Sequence, residues 1–531
     1  MHTIILETAV RDGKVMQDFE LQSLSDRGRH SRVVKAPSIR NDCCSKDCVN
    51  LPSPTAVSRI ILSICSILLI FSHTYGDNQT DTISPVIQNG VLPFQVQIQQ
   101  VAMLPNGIQA GAWASYQGKW LLIAGRTNGM HDFTLTGFFP SQTQNTTVYV
   151  VDPSNWRVWS RPLDDVFSEL TQEQVDSLSV TSPQYYQPAD DSSILYMTGG
   201  YGIDTATGLY TTKSILTAID VPGMIQWVQS SSSGTTAAQF IRQISHPIFQ
   251  VAGGYMGQIE QDQPTLLVFG HNFTGDSAFS PDNIYSEQVR RFQIYDNGHD
   301  LSVDILPSKP SVPNPNYHRR QLNVVPAILI EGSHYVNKFV ALSGVFTLDT
   351  GVWTVPVEIE PNGKSSMANP NNPGTFKQAM NNYACATLNM FSKTTKEMYT
   401  VLFGGITYGF VQNNVFQVDP QIPFDNGVTT IKIDKKGVYT QYYMDSSYPE
   451  IISTQSNPGN PLLFGANAYF IGTPETPVFT NQIVRFDNLK IPTVVGYIVG
   501  GIQSTLPNTN SSADSAASPY IFQVTVIPIS R

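Results

Sequence analysis

A chain of 531 residues with a formal charge of −10 and only 14% charged residues is neither a coiled coil nor a highly charged disordered protein. Beyond Gly76 stand 22 basic and 34 acidic residues, a net −12 without a basic stripe, which excludes a phosphate-neutralising nucleic-acid surface. Frequent glycine and proline, 10% aromatics and a near absence of long amphipathic helical patterns predict an all-β chain of short strands and turns.

In chain order, residues 1–56 are polar and read as an unstructured or upstream extension. The CCSKDC run at 43–48 offers three thiols without a partner cluster at zinc-ligand spacing, so no metal site is expected there. Residues 57–76 contain IILSICSILLIF (60–71), preceded by Arg59 and followed by Thr74-Tyr75-Gly76. This twelve-residue apolar core matches a secretory one and falls short of the ~20 that span a bilayer. Cleavage after Gly76 and a secreted or extracytoplasmic location are expected; the alternative is an uncleaved membrane anchor over 57–75 with the folded part outside the cytoplasm. Only Cys385 lies beyond Gly76, so the folded part must be held by core packing alone.

Residues 77–91 read as a linker. The alternating strand FQVQIQQV (94–101) follows, with no partner of its own nearby. Then one pattern returns six times: WLLIAG ending at Gly125, SILYMTGG at Gly200, TLLVFG at Gly270, FVALSG at Gly344, YTVLFGG at Gly405 and VGYIVGG at Gly501. Each is an apolar run stopped by glycine, as expected of a buried strand that turns sharply at a crowded rim. A lead-in strand precedes it, such as AWASYQGK from Ala112 or NYACATLNM from Asn382; alternating strands follow, such as TTVYVVD from Thr146 and WRVW from Trp156.

The order of apolar run, glycine, tyrosine strand and tryptophan strand resembles the Kelch repeat, with degenerate copies and long insertions. The resemblance implies a six-bladed β-propeller over 92–531, whose last blade, one strand short at the C-terminus, is completed by the strand at 94–101.

In such a propeller the lead-in segments and post-glycine loops share one mouth of the central channel. Candidate ligand-binding residues there are Tyr185, Tyr186, His246, His318, Arg319, Arg320 and Tyr383 from the lead-ins, and His131, Asp132, Tyr201 and His271 from the loops. Adjacent strand residues point to opposite faces, so one of Arg319 and Arg320 is expected to be structural. Alternation through Gln321 to Val324 selects Arg319 for an anionic ligand. No hydrolase, Walker, zincin or calcium-loop motif occurs, and no cofactor is expected. The expected function is an exported, monomeric binding or protein-interaction module, its partner an unknown protein or a polar or anionic glycan. The alternative is a sugar enzyme resembling sialic acid mutarotases, which requires a general acid/base beside an arginine. The sequons at Asn78, Asn145, Asn272 and Asn510 fit glycosylation only on a eukaryotic secretory route.

Overall fold

The apolar runs that end on glycine become the strand next to the inner one in every repeat, paired on both edges. The computed structural model describes residues 3–11, 14–22, 87–88 and 90–529, except 132–138, 190–191, 231–233, 275–282, 349–350, 414 and 510. The chain divides into residues 1–80 and 81–531. Within the first unit, Thr3–Arg11 and Lys14–Gln22 form an antiparallel hairpin. The apolar segment at 60–71 lies outside the described residues, among which no helix is long and apolar enough to cross a membrane.

The second unit is an all-β propeller. Its inner strands are Ala112–Tyr116, Gln184–Tyr186, Tyr255–Gly257, Asn323–Glu331, Ala386–Ser392 and Tyr469–Gly472. Five of the sheets are four-stranded, one short of the six four-stranded blades expected. The fifth sheet has six strands: Ile87–Gln88 adds in parallel at its outer edge, and Val484–Arg485 adds in parallel beside Ala386–Ser392. Phe94–Met103 runs antiparallel to Tyr520–Pro528 as the outer strand of the sixth sheet. It buries Phe94, Val96 and Ile98 on alternate positions, as the period of two requires.

Apolar contacts follow the sheet order. One cluster joins the first sheet to the second, and others join second to third, third to fourth, fourth to fifth and fifth to sixth. A further cluster sets Tyr469, Ile471 and Val499 of the sixth sheet against Trp120, Leu122 and Tyr149 of the first.

The glycines that stop the apolar runs serve these seams. Gly125, Gly200, Gly270, Gly405 and Gly501 have φ between +78° and +99°, the region favouring glycine. Each donates its N–H to the neighbouring sheet's lead-in: Gly125 to Val180 O at 2.7 Å, Gly200 to Val251 O at 2.8 Å, Gly270 to Arg319 O at 2.9 Å, Gly405 to Phe464 O at 2.8 Å and Gly501 to Ile108 O at 2.8 Å. A Cβ on Gly125 would stand 2.4 Å from Gln109 O.

A second set of backbone bonds circles the channel. Ala110, Ser182, Gly253, Gln321, Ala384 and Asn467 each precede an inner strand with φ between +47° and +65°. Ser182 N–H donates to Ala110 O at 2.7 Å, Gly253 to Ser182 at 3.0 Å, Gln321 to Gly253 at 2.7 Å, Asn467 to Ala384 at 2.6 Å and Ala110 to Asn467 at 3.4 Å. Between Gln321 and Ala384 the described residues show no such bond, and Asn323 Nδ2 instead donates to Asn382 O at 2.8 Å. Non-glycine residues held here cost local strain, offset by the bonds they complete.

Asn145 is not a glycan acceptor in this fold. It is 2% exposed, and its Nδ2 donates to Ala124 O at 2.9 Å and Thr147 O at 2.8 Å.

Candidate functional site

Residues of the six inner strands line one cavity of about 760 Å³, called the channel. Its wall carries Trp113, Tyr185, Tyr186, Tyr255, Tyr469 and Phe470 among the amides of Gln187, Gln321, Asn323, Asn389 and Asn467. No Asp, Glu, Lys, Arg or His lines it among the described residues. Gln184 lines it too. Only 1% exposed, it donates to Ser182 O at 2.8 Å, while its Oε1 has no hydrogen-bond partner among the described residues. Burial pushes the Tyr255 phenol up to about 12 and Tyr185 well above its ordinary value, so both hydroxyls stay protonated donors at neutral pH.

One end of the channel is narrowed by the backbone ring, where Gln321 Nε2 reaches Ser182 Oγ at 3.0 Å. Toward the other end, the stretch 473–492 of the sixth sheet brings Val484 along the fifth sheet's inner edge and Asn481 to Asn337 Oδ1 at 3.1 Å. This stretch gave no strand signal in the sequence.

Beyond the ring, lead-in residues pair with post-glycine residues: Thr181 with Tyr201, Ala252 with His271, Arg320 with Val345 and Tyr383 with Ile406. The ring therefore separates residues expected around one mouth. Of the eleven candidates, Tyr185 and Tyr186 line the channel and none of the other described ones does. His246 caps the turn Pro247–Phe249, accepting from Ile248 N–H at 3.1 Å. His131 lies 5.2 Å from the Phe139 ring; Asp132 lies outside the described residues.

The assignment of Arg319 to a ligand is corrected. It is 0% exposed, with Nη1 donating to Ser343 O at 3.3 Å, Nη2 to Val355 O at 2.9 Å and Nε to Asn316 O at 3.3 Å. Burial lowers its pKa to about 9, and the carbonyls offset that cost. Counting alternation from Gln321 failed because Gln321, at φ +47°, interrupts the extended chain across which parity was carried.

Arg320 is only partly buried and belongs to a polar aromatic group. Its Nε donates to Tyr285 Oη at 2.9 Å. His318 stacks on the Tyr285 ring at 3.6 Å and donates Nδ1–H to Glu287 Oε1 at 2.7 Å. His271 stands 5.4 Å from Tyr285, bonded to Asn283 Oδ1. Burial first, then the charge of Arg320, holds the His271 imidazole well below its ordinary range. Tyr383 is pushed up to about 12 by burial, with Arg320 drawing it back. Rings continue from His271 through Phe273 and Tyr201 to Phe139, at spacings of 5.7, 4.6 and 5.0 Å. Sequence reading missed Phe139, Phe273, Tyr285 and Glu287; the signal available was their position on segments that follow a glycine stop.

No group of three His, Cys, Asp or Glu able to hold a metal occurs among the described residues. No family model matches the chain, and no curated protein sequence matches it. Solved structures match it at low identity and low structural score. One described as YjhT is 10% identical, with a TM-score of 0.40, over 80% of this chain and 99% of the other. A Trypanosoma rangeli sialidase in complex with sialic acid is 10% identical, with a TM-score of 0.32, over 85% of this chain and 58% of the sialidase. A chain of a RAG complex is 9% identical, with a TM-score of 0.37, over 81% of this chain and 99% of the other. At such identities a likeness reaches no further than fold.

Proposed function

We propose that this chain is a binding propeller without catalytic chemistry, whose ligand is a neutral, polyhydroxylated molecule such as an uncharged glycan held in the channel. The observation that carries this reading is the channel wall: aromatic faces for stacking, amides and phenols for hydroxyl groups, and no charged side chain among the described lining residues. The orphaned Gln184 Oε1 supports it, since a buried acceptor calls for a donor. A mutarotase-like reaction is disfavoured, because it needs a proton-transfer group beside an arginine in that same channel.

The fold-level reading extends further. The fifth sheet is taken as the sixth blade of a Kelch-like ring, closed by the pairing of Phe94–Met103 with Tyr520–Pro528. The segment at 60–71 is taken as an export signal that places the propeller outside the cytoplasm, and its partner is then an extracytoplasmic glycan. Binding of the full chain to immobilised neutral and sialylated glycans tests the functional reading. Neutral glycans are expected to bind, and Trp113→Ala and Tyr255→Ala to weaken them about tenfold, ~1.4 kcal/mol each. Retention of sialylated glycans alone, or binding untouched by both substitutions, overturns it.

A further inference from the structure

The geometry points to a second ligand site outside the channel, a carboxylate-binding pocket centred on Arg320. It is built by the strand pair His271–Asn272 and Ile284–Tyr285, the Glu287 that follows it, and the post-glycine loop of the fourth sheet (Phe346).

Two observations carry it. First, Arg320 is aimed but unspent. Its Nε is fixed on Tyr285 Oη at 2.9 Å and its guanidinium lies 5.3 Å from the Phe346 ring centre, yet neither terminal nitrogen has a hydrogen-bond partner among the described residues and no ion pair forms there. The other enclosed arginines are engaged: Arg126 with Thr143, Arg161 with Asp165, Arg242 with Asp296, Arg290 with Ile248 O and Arg319 with Val355 O. Second, the carboxylate two residues after Tyr285 is engaged elsewhere. Glu287 holds His318 Nδ1 at 2.7 Å, and no carboxylate forms an ion pair with Arg320 among the described residues. A guanidinium anchored through Nε presents its two terminal nitrogens as a fork, which matches the two oxygens of a carboxylate. Phe346 and Tyr285 flank that fork with rings, which suits a planar anion carried on an apolar or aromatic body better than a freely hydrated tetrahedral one.

The test uses 4-fluorobenzoate as probe on the full chain, read by fluorine NMR line broadening. Broadening is expected, reversed by excess acetate and insensitive to the same ionic strength of sodium chloride. Arg320→Gln should abolish it, and Tyr285→Phe, which frees Nε, should weaken it about tenfold. Trp113→Ala should leave it unchanged, separating this site from the channel. Should Arg320→Gln misfold by circular dichroism, the Tyr285→Phe result decides alone. Broadening that survives in Arg320→Gln or is undiminished in Tyr285→Phe, displacement by chloride as effective as by acetate, or preference for inorganic phosphate over acetate each overturns the proposal.

Discussion

The Arg319 guanidinium lies 4.5 Å from the centre of the Trp353 ring, sealed from solvent, while the next residue, Arg320, turns toward Tyr285. Truncating Arg319 would strand the carbonyls of Ser343 and Val355 at ~1–3 kcal/mol each and leave a cavity beneath the indole. Arg319→Ala is expected to lose several kcal/mol in urea denaturation and Arg320→Ala less than about 1 kcal/mol. The reverse order would contradict the placement of the pair.

Two glycines separate strain from crowding. Gly118 has φ +78° with nothing near its would-be Cβ, whereas Gly125 has φ +90° and faces Gln109 O at 2.4 Å. Gly118→Ala should cost only the backbone preference, ~1 kcal/mol, and Gly125→Ala clearly more, because the seam between the first two sheets must part. Thermal melts of the two variants provide the comparison.

His271 sets a pH dependence. Its folded-state pKa lies well below the ordinary 6.5, so protons bind the unfolded chain more readily. The neutral imidazole's contribution is therefore complete above about pH 6.5 and is lost as the pH falls beneath it, by up to ~1.4 kcal/mol per pH unit. His271→Gln should flatten the stability profile between pH 6.5 and 5; an unchanged slope would place the responsible group elsewhere.

Cys385 should be chemically silent. Burial pushes its thiol up to about 12, leaving little thiolate at pH 8 to attack an alkylating reagent. Peptide mapping after iodoacetamide treatment is expected to find Cys385 unmodified in the native chain and modified in urea.

Chain ends starting at residue 92 and at residue 104 should behave differently. The first keeps Phe94–Met103; the second removes it, together with buried Phe94, Val96 and Ile98. At ~1.5–3 kcal/mol for each large apolar side chain buried, the shorter chain is expected to melt far lower or to aggregate through its bared sheet edge.

The repeating plan was legible because apolar runs stopped by glycine leave a periodic mark, and each mark became a strand paired on both edges. The common end shared by lead-ins and post-glycine segments was legible too, as the Thr181–Tyr201 and Ala252–His271 bridges show. Hidden were the features without a pattern. Val484–Arg485 and Ile87–Gln88 are too short to alternate. The left-handed residues of the ring include alanine, serine and glutamine, none of which announces a positive φ. That ring divided the anticipated mouth and inverted the roles of the arginine pair.

Both circuits of backbone bonds lapse at the same place. Neither the glycine bond nor the ring bond spans the junction of fourth and fifth sheets among the described residues, where the Asn323 side chain bridges instead. Among those residues, that junction is held by side chains alone: the Asn323 amide, the Tyr439 hydroxyl on Glu358 Oε1 at 3.0 Å and the apolar cluster between the two sheets. Heat or tension should part it first, so amides flanking Asn323 and Asn382 should exchange hydrogen ahead of those at the other junctions.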